Sequence, residues 1–132
     1  MDLIKITPDK ERARSIINMV SLVEERIKLQ DKQRMSALII ADYYEIIKEL
    51  ITAVLLIDGY KTLSHKDLID YLKENYSEFN LQEVSILDNL RILRNRITYE
   101  GFLVEPIYLD RNETIFKQLI SKLKKLISQK LK

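Results

Sequence analysis

KQRMSALIIADYYEIIKELITAVLLID, residues Lys32–Asp58, decides the fold. Within it Leu38, Ile39, Tyr43, Ile46, Ile47, Leu50, Ile51, Val54 and Leu55 recur at steps of three and four, which puts them on one side of an α-helix. That side is too broad for a single packing partner, so this segment is expected to be the central helix of a bundle. Gly59 follows the run directly and supplies the left-handed residue that commonly ends a helix.

Toward the N-terminus, Thr7-Pro8-Asp9 reads as a helix opening: a hydroxyl at the cap, Pro at the first helical position and an acid in the first turn. Ala13, Ile16, Ile17, Val20, Val23 and Ile27 follow at helical spacing, so a helix is expected to about Leu29, with Gln30–Arg34 as a break or short connection. Toward the C-terminus, Ser64 with Asp67 and Asn80 with Glu83 have capping-box spacing. The first should open a short helix to about Asn75. The second should open a helix carrying Val84, Ile86, Leu87, Leu90, Leu93 and Ile97 and ending at Glu100-Gly101. Phe102–Leu109 contains Pro106 with aromatic and β-branched residues and is expected to be an extended connection. Asp110 with Glu113 would then cap a last helix reaching nearly to Lys132. The expectation is one all-α domain over residues 1–132, an up-and-down bundle of about five helices.

Composition narrows the function classes. Gly and Pro occur only twice each and Cys is absent, and no uninterrupted apolar stretch approaches about eighteen residues. A cytoplasmic protein without disulfides or membrane spans is expected. The formal charge of +2 is far from that of a dedicated duplex-DNA binder, so any nucleic-acid contact must be a local patch. No Gly-rich phosphate loop or dinucleotide fingerprint is present. His65 is the only histidine, which leaves no His-based metal cluster or triad, and neither metal nor cofactor is expected. Its place in the first turn of a helix suggests solvent exposure.

The stretch with chemical content is Asp88–Gly101, DNLRILRNRITYEG. At roughly 100° per residue, Ile86, Leu87, Leu90, Leu93 and Ile97 share one arc, and Asp88, Arg91, Asn95 and Tyr99 share another. Arg94 falls inside the apolar arc beside Leu87 and Leu90, where a guanidinium is costly unless it is paired or lines a cleft. The ordinary alternative is an arginine that snorkels to water near a helix C-terminus, where positive charge is favoured. Periodicity alone leaves both open. Arg91 and Arg96 read as solvated. Asp42, Glu45, Glu49 and Asp88 are the acids that could pair with Arg94. Lys117, Lys122, Lys124, Lys125, Lys130 and Lys132 make the last helix basic, a pattern that usually marks a solvated surface.

Leu93-Arg94-Asn95-Arg96-Ile97-Thr98-Tyr99 resembles the Arg-polar-spacer-His motif of the HEPN superfamily, with Tyr99 where His is expected. Ala41-Asp42-Tyr43-Tyr44-Glu45, and Asp58-Gly59-Tyr60 followed by Ser64-His65-Lys66-Asp67-Leu68, resemble HEPN segments in the same order. Together they span roughly Met35 to Leu126. The resemblance implies a homodimer that brings two Arg-bearing helices together along a cleft, which in nuclease members cuts single-stranded RNA without metal. Imidazole moves a proton near neutral pH while guanidinium stabilises phosphoryl charge. A phenol with a reference pKa near 10 is a poor base at pH 7, so Tyr99 implies weakened catalysis with nucleotide or RNA binding retained, since its ring can stack on a base.

Some toxin–antitoxin HEPN proteins pair with a small nucleotidyltransferase, and a Tyr two residues beyond the motif His receives a nucleotide. Here that place is Gly101, which leaves Tyr99 as a displaced acceptor. The binding candidates are therefore Arg91, Arg94, Asn95, Arg96, Tyr99 and, from the adjacent tyrosine pair, Tyr44. If the domain is an active, metal-independent endoribonuclease, the catalytic residues are Arg94 and Tyr99. The remaining alternative is a purely structural helical partner domain.

Overall fold

Five helices account for most of the chain in the computed structural model, which describes all 132 residues: α1 (Lys10–Leu29), α2 (Ser36–Asp58), α3 (His65–Asn75), α4 (Leu81–Glu100) and α5 (Pro106–Lys130). The protein is an all-α helical bundle. As its broad apolar face requires, α2 packs against each of the other four helices. Its buried residues run from Ser36 to Ile57 on nearly every side. Leu38, expected on that face, is instead exposed near the open N-terminal end of the helix. No helix is long and apolar enough to cross a membrane.

The caps explain where the helices begin and end. Ser64 accepts from the Asp67 amide at 3.2 Å, and Asn80 with Glu83 forms a reciprocal capping box at 2.8 and 3.0 Å. Gly59 (φ 91°) and Gly101 (φ 65°) close α2 and α4 in the left-handed conformation. Three expected starts are corrected. Asp9, not Thr7, caps α1 by accepting from the Arg12 amide at 2.9 Å, while Pro8 lies outside the helix against Gly59. α2 begins at Ser36 rather than Lys32, because Asp31 first holds a turn through the amides of Gln33 and Arg34. α5 begins at Pro106 rather than Asp110. Proline suits the first helical position, where its missing N–H is not needed, so only residues 102–105 form the connection.

A two-stranded antiparallel element, β1 (Ile4–Lys5) with β2 (Tyr60–Lys61), pairs Ile4 with Lys61 and Lys5 with Tyr60. Two residues are too few to leave an alternating pattern in sequence. The pairing is held by the Gly59 corner, whose carbonyl accepts from the Ile6 amide at 2.9 Å.

Side chains of the basic last helix tie the bundle together. Lys122 binds Glu83 at 2.9 Å, Lys124 binds Glu24 at 2.5 Å and Lys130 binds Asp58 at 2.6 Å. Part of the expected solvated lysine run is thus consumed in helix-to-helix contacts.

Candidate functional site

The C-terminal half of α4 is lightly covered: the helix buries only Leu87 and Leu90, and no residue beyond Leu90 is buried. Leu93 and Ile97 are half-buried against the core. Between them Arg94 lies half-buried, with its guanidinium 5.7 Å from the ring centre of Tyr44 and 6.0 Å from that of Tyr99. Its Nη1 donates to Asn95 Oδ1 at 3.4 Å.

None of the four acids expected as partners reaches it. Asp42 is held by Arg26 at 2.8 Å, Glu45 and Glu49 by Lys48 at 2.8 and 3.3 Å, and Asp88 by Arg91 at 2.9 Å. The charge of Arg94 therefore faces two aromatic rings and solvent rather than a carboxylate. Ring faces attract a guanidinium without neutralising it, so the group keeps its capacity to bind an anion.

Tyr44 is buried on α2, and its adjacent partner Tyr43 turns to another side of the bundle. Burial pushes the Tyr44 phenol up to about 12, against the opposing charges of Arg91 and Arg94, so it is neutral at physiological pH. The ring of His65, the first residue of α3, stands 6.0 Å from the Tyr44 ring at a 43° tilt. His65 is half-buried, not freely exposed as its helix position suggested. Its imidazole lies below the ordinary value because of burial, then of Lys48 and Arg94, with Glu45 opposing and Arg91 adding a further lowering. Thus α2, α3 and α4 bring Tyr44, His65, Arg91 and Arg94 to one region. The sequence gives no local signal for His65, because only the tertiary approach of α3 to Tyr44 places it there.

The other expected residues divide. Asn95 is half-buried beside Arg94, and Tyr99 is 75 % exposed with its ring by the guanidinium. The Arg91 side chain, read as solvated, is only 18 % exposed, where it binds Asp88. Arg96 is not brought to the Tyr44–Arg94 region. Its guanidinium stacks 3.8 Å over Phe102 and lies 3.9 Å from Glu100, because two residues along a helix is a turn of roughly 200°.

Chemically, this is one arginine without an acid between two aromatic rings, beside the ion-paired Arg91–Asp88 and Lys48–Glu45–Glu49 groups and an imidazole that burial keeps neutral near pH 7. No group of three or more His, Asp or Glu side chains is gathered in the geometry of a metal site. Compared with protein-family models, with curated proteins and with solved structures, the chain matches none.

Proposed function

We propose that the protein is a HEPN-like, dimeric nucleotide- or RNA-binding module with weakened catalysis, in which Arg94 binds phosphate and Tyr99 stacks on a base. The observation that carries this reading is the half-buried Arg94, flanked by Tyr44 and Tyr99 and paired with no carboxylate. A half-buried cation with no carboxylate beside it has lost part of its hydration without gaining a counter-charge, and an anionic ligand would supply one. Tyr99, mostly in solvent, is free to stack.

The dimer is supported by what α4 leaves uncovered. Tyr99 is exposed on it, and Leu38, Leu103 and Ile107 are exposed around the 2.5 Å hydrogen bond from Ser36 Oγ to the Val104 carbonyl. A second copy on this end would bury the apolar side chains and set two Arg94–Asn95–Tyr99 groups around one groove. The protein partner that the HEPN resemblance suggests is a small nucleotidyltransferase, in a toxin–antitoxin arrangement.

Fluorescence anisotropy with short single-stranded RNA and with mononucleotides, over a salt series, tests the binding reading. Arg94→Ala should weaken binding and flatten the salt slope by about one, the loss of one phosphate contact, and Arg91→Ala, whose guanidinium is held by Asp88, should weaken it to a smaller degree. Binding unchanged in both variants refutes it.

A second reading, a metal-independent endoribonuclease, is favoured by one observation: the His65 imidazole and the Arg94 guanidinium both stand within about 6 Å of the Tyr44 ring, and burial keeps that imidazole below its ordinary pKa. It expects RNA cleavage in the presence of chelator that is lost in Arg94→Ala and in either Tyr99→Phe or His65→Asn. Cleavage that persists in Arg94→Ala would belong to a different site or to a contaminant. A purely structural role would rest on the contacts of Arg94 with the Tyr44 and Tyr99 rings and on its access to water, and it expects no change in nucleic-acid or nucleotide affinity in Arg94→Ala.

A further inference from the structure

On the other side of α2, α1 and α5 both pack against it and scarcely meet each other. A cleft of about 450 Å³ opens between them, within the roughly 300–1,000 Å³ usual for small-ligand sites. Its floor is hydrocarbon: Ile27 and Ile120, both buried, and the ring of Tyr43, which packs 5.6 Å from Phe116. Tyr43 and Tyr44 are neighbours about 100° apart on one helix, so one ring floors this cleft while the other lies under Arg94.

The charge on the walls is unbalanced. Four lysines stand against two glutamates, and both glutamates are already engaged. Glu24 binds Lys124 at 2.5 Å. Glu113 accepts from Lys32 at 2.7 Å and from the Tyr43 hydroxyl at 2.6 Å. Burial pushes the Glu113 carboxyl up, but those hydrogen bonds outweigh it and hold it below its ordinary range, so it stays ionised and occupied. Lys28 and Lys117 make no ion pair within 4 Å and line the cleft as exposed ammonium groups, Lys117 adding to the charge that holds Glu113 ionised.

We propose that this cleft is a second ligand site, built for a small amphiphilic anion: a flat apolar or aromatic body seated on Ile27, Tyr43 and Ile120, carrying a phosphomonoester held by Lys28 and Lys117. A bare anion leaves the floor wet, and a neutral aromatic leaves the two ammonium groups uncompensated, so each half alone binds less well. A polymer fits poorly. The Lys124–Glu24 ion pair links the two walls across the cleft, and Gln30 and Lys32 of the α1–α2 connection stand in it.

The test is isothermal titration of the full chain with 1-naphthyl phosphate, with 1-naphthol and inorganic phosphate as the separated halves. Naphthyl phosphate should bind at least tenfold more tightly than either half. Lys28→Glu and Lys117→Glu should each weaken it tenfold or more, and Ser121→Trp, which fills the cleft and leaves its charges in place, should abolish it. All three positions are exposed, so the fold tolerates these changes, and circular dichroism verifies that. Arg94→Ala should leave this binding unchanged. No binding, binding indifferent to all three cleft variants, or binding lost with Arg94→Ala would each overturn the proposal. The last outcome would assign the ligand to the α4 patch instead.

Discussion

Removing the Asp58 carboxylate should cost more stability than almost any other single polar change in this bundle. Asp58 ends α2, and its Oδ2 accepts from the hydroxyls of Tyr71 at 2.7 Å and of Tyr76, while Oδ1 binds Lys130 at 2.6 Å. One side chain thereby joins α2 to α3, to the turn after α3 and to the end of α5. A hydrogen bond to a charged acceptor contributes roughly 1.5–3 kcal/mol. Tyr71 is 4 % exposed and would lose its partner without gaining water, so its contribution falls in the upper part of that range. Tyr76 is half-buried and Lys130 partly solvated. Both can turn to water, and together they add about 1–1.5 kcal/mol.

Asp58→Ala should therefore destabilise the protein by about 3–4 kcal/mol, a large share of a typical total of roughly 5–15 kcal/mol. Tyr71→Phe alone should cost about 2 kcal/mol and Tyr76→Phe about 1 kcal/mol. Urea unfolding followed by circular dichroism reads all three, and the double variant Asp58→Ala/Tyr71→Phe should be clearly less destabilised than the sum, because the two changes remove the same bond. A loss below about 1 kcal/mol in Asp58→Ala, or simple additivity in the cycle, would refute the reasoning.

Three further outcomes follow from the geometry. Because the folded His65 imidazole lies below its ordinary value of 6.5, the folded state binds protons less readily than the unfolded one. Stability should be level above that value and fall as pH drops from there through the folded pKa, and His65→Gln should flatten this part of a thermal-melt series against pH. Gly59→Ala should cost about 2 kcal/mol or more, since the residue has φ 91° and an added Cβ would sit 3.1 Å from the Ile6 carbonyl oxygen, whereas Gly101→Ala, left-handed but in open space, should cost only about 1 kcal/mol. Light scattering at micromolar concentration should give a dimer that Leu103→Glu dissociates, and a wild-type monomer across that range would remove the shared-groove arrangement.

Much of the architecture is legible in the sequence, because helical caps and periodicities are local. Ser64, Asn80, Gly59 and Gly101 mark their boundaries through residues three or four positions away. Errors arise where one pattern has two uses. Asp110 and Glu113 have the spacing of a cap, yet Glu113 is turned to Lys32 and Tyr43, and Pro106 opens the helix instead. Arg94 stands out because a charge in an apolar arc contradicts its own helix. That it lacks an acid could not be read, since Asp42, Glu45, Glu49 and Asp88 all stood within plausible reach and each is taken by another cation. His65 and the cleft over Tyr43 depend on contacts between helices distant in sequence, which periodicity does not encode.

Paired measurements on Arg94→Ala decide whether Arg94 serves a ligand or the fold. Affinity for single-stranded RNA or a nucleotide, by anisotropy at fixed low salt, is set beside unfolding free energy from urea titration. With no carboxylate to orphan, the substitution should leave stability within about 0.5 kcal/mol of wild type while affinity falls by about tenfold or more, the loss of one charge-assisted phosphate contact. Unchanged affinity together with a stability loss of several kcal/mol would make Arg94 a structural residue with no ligand.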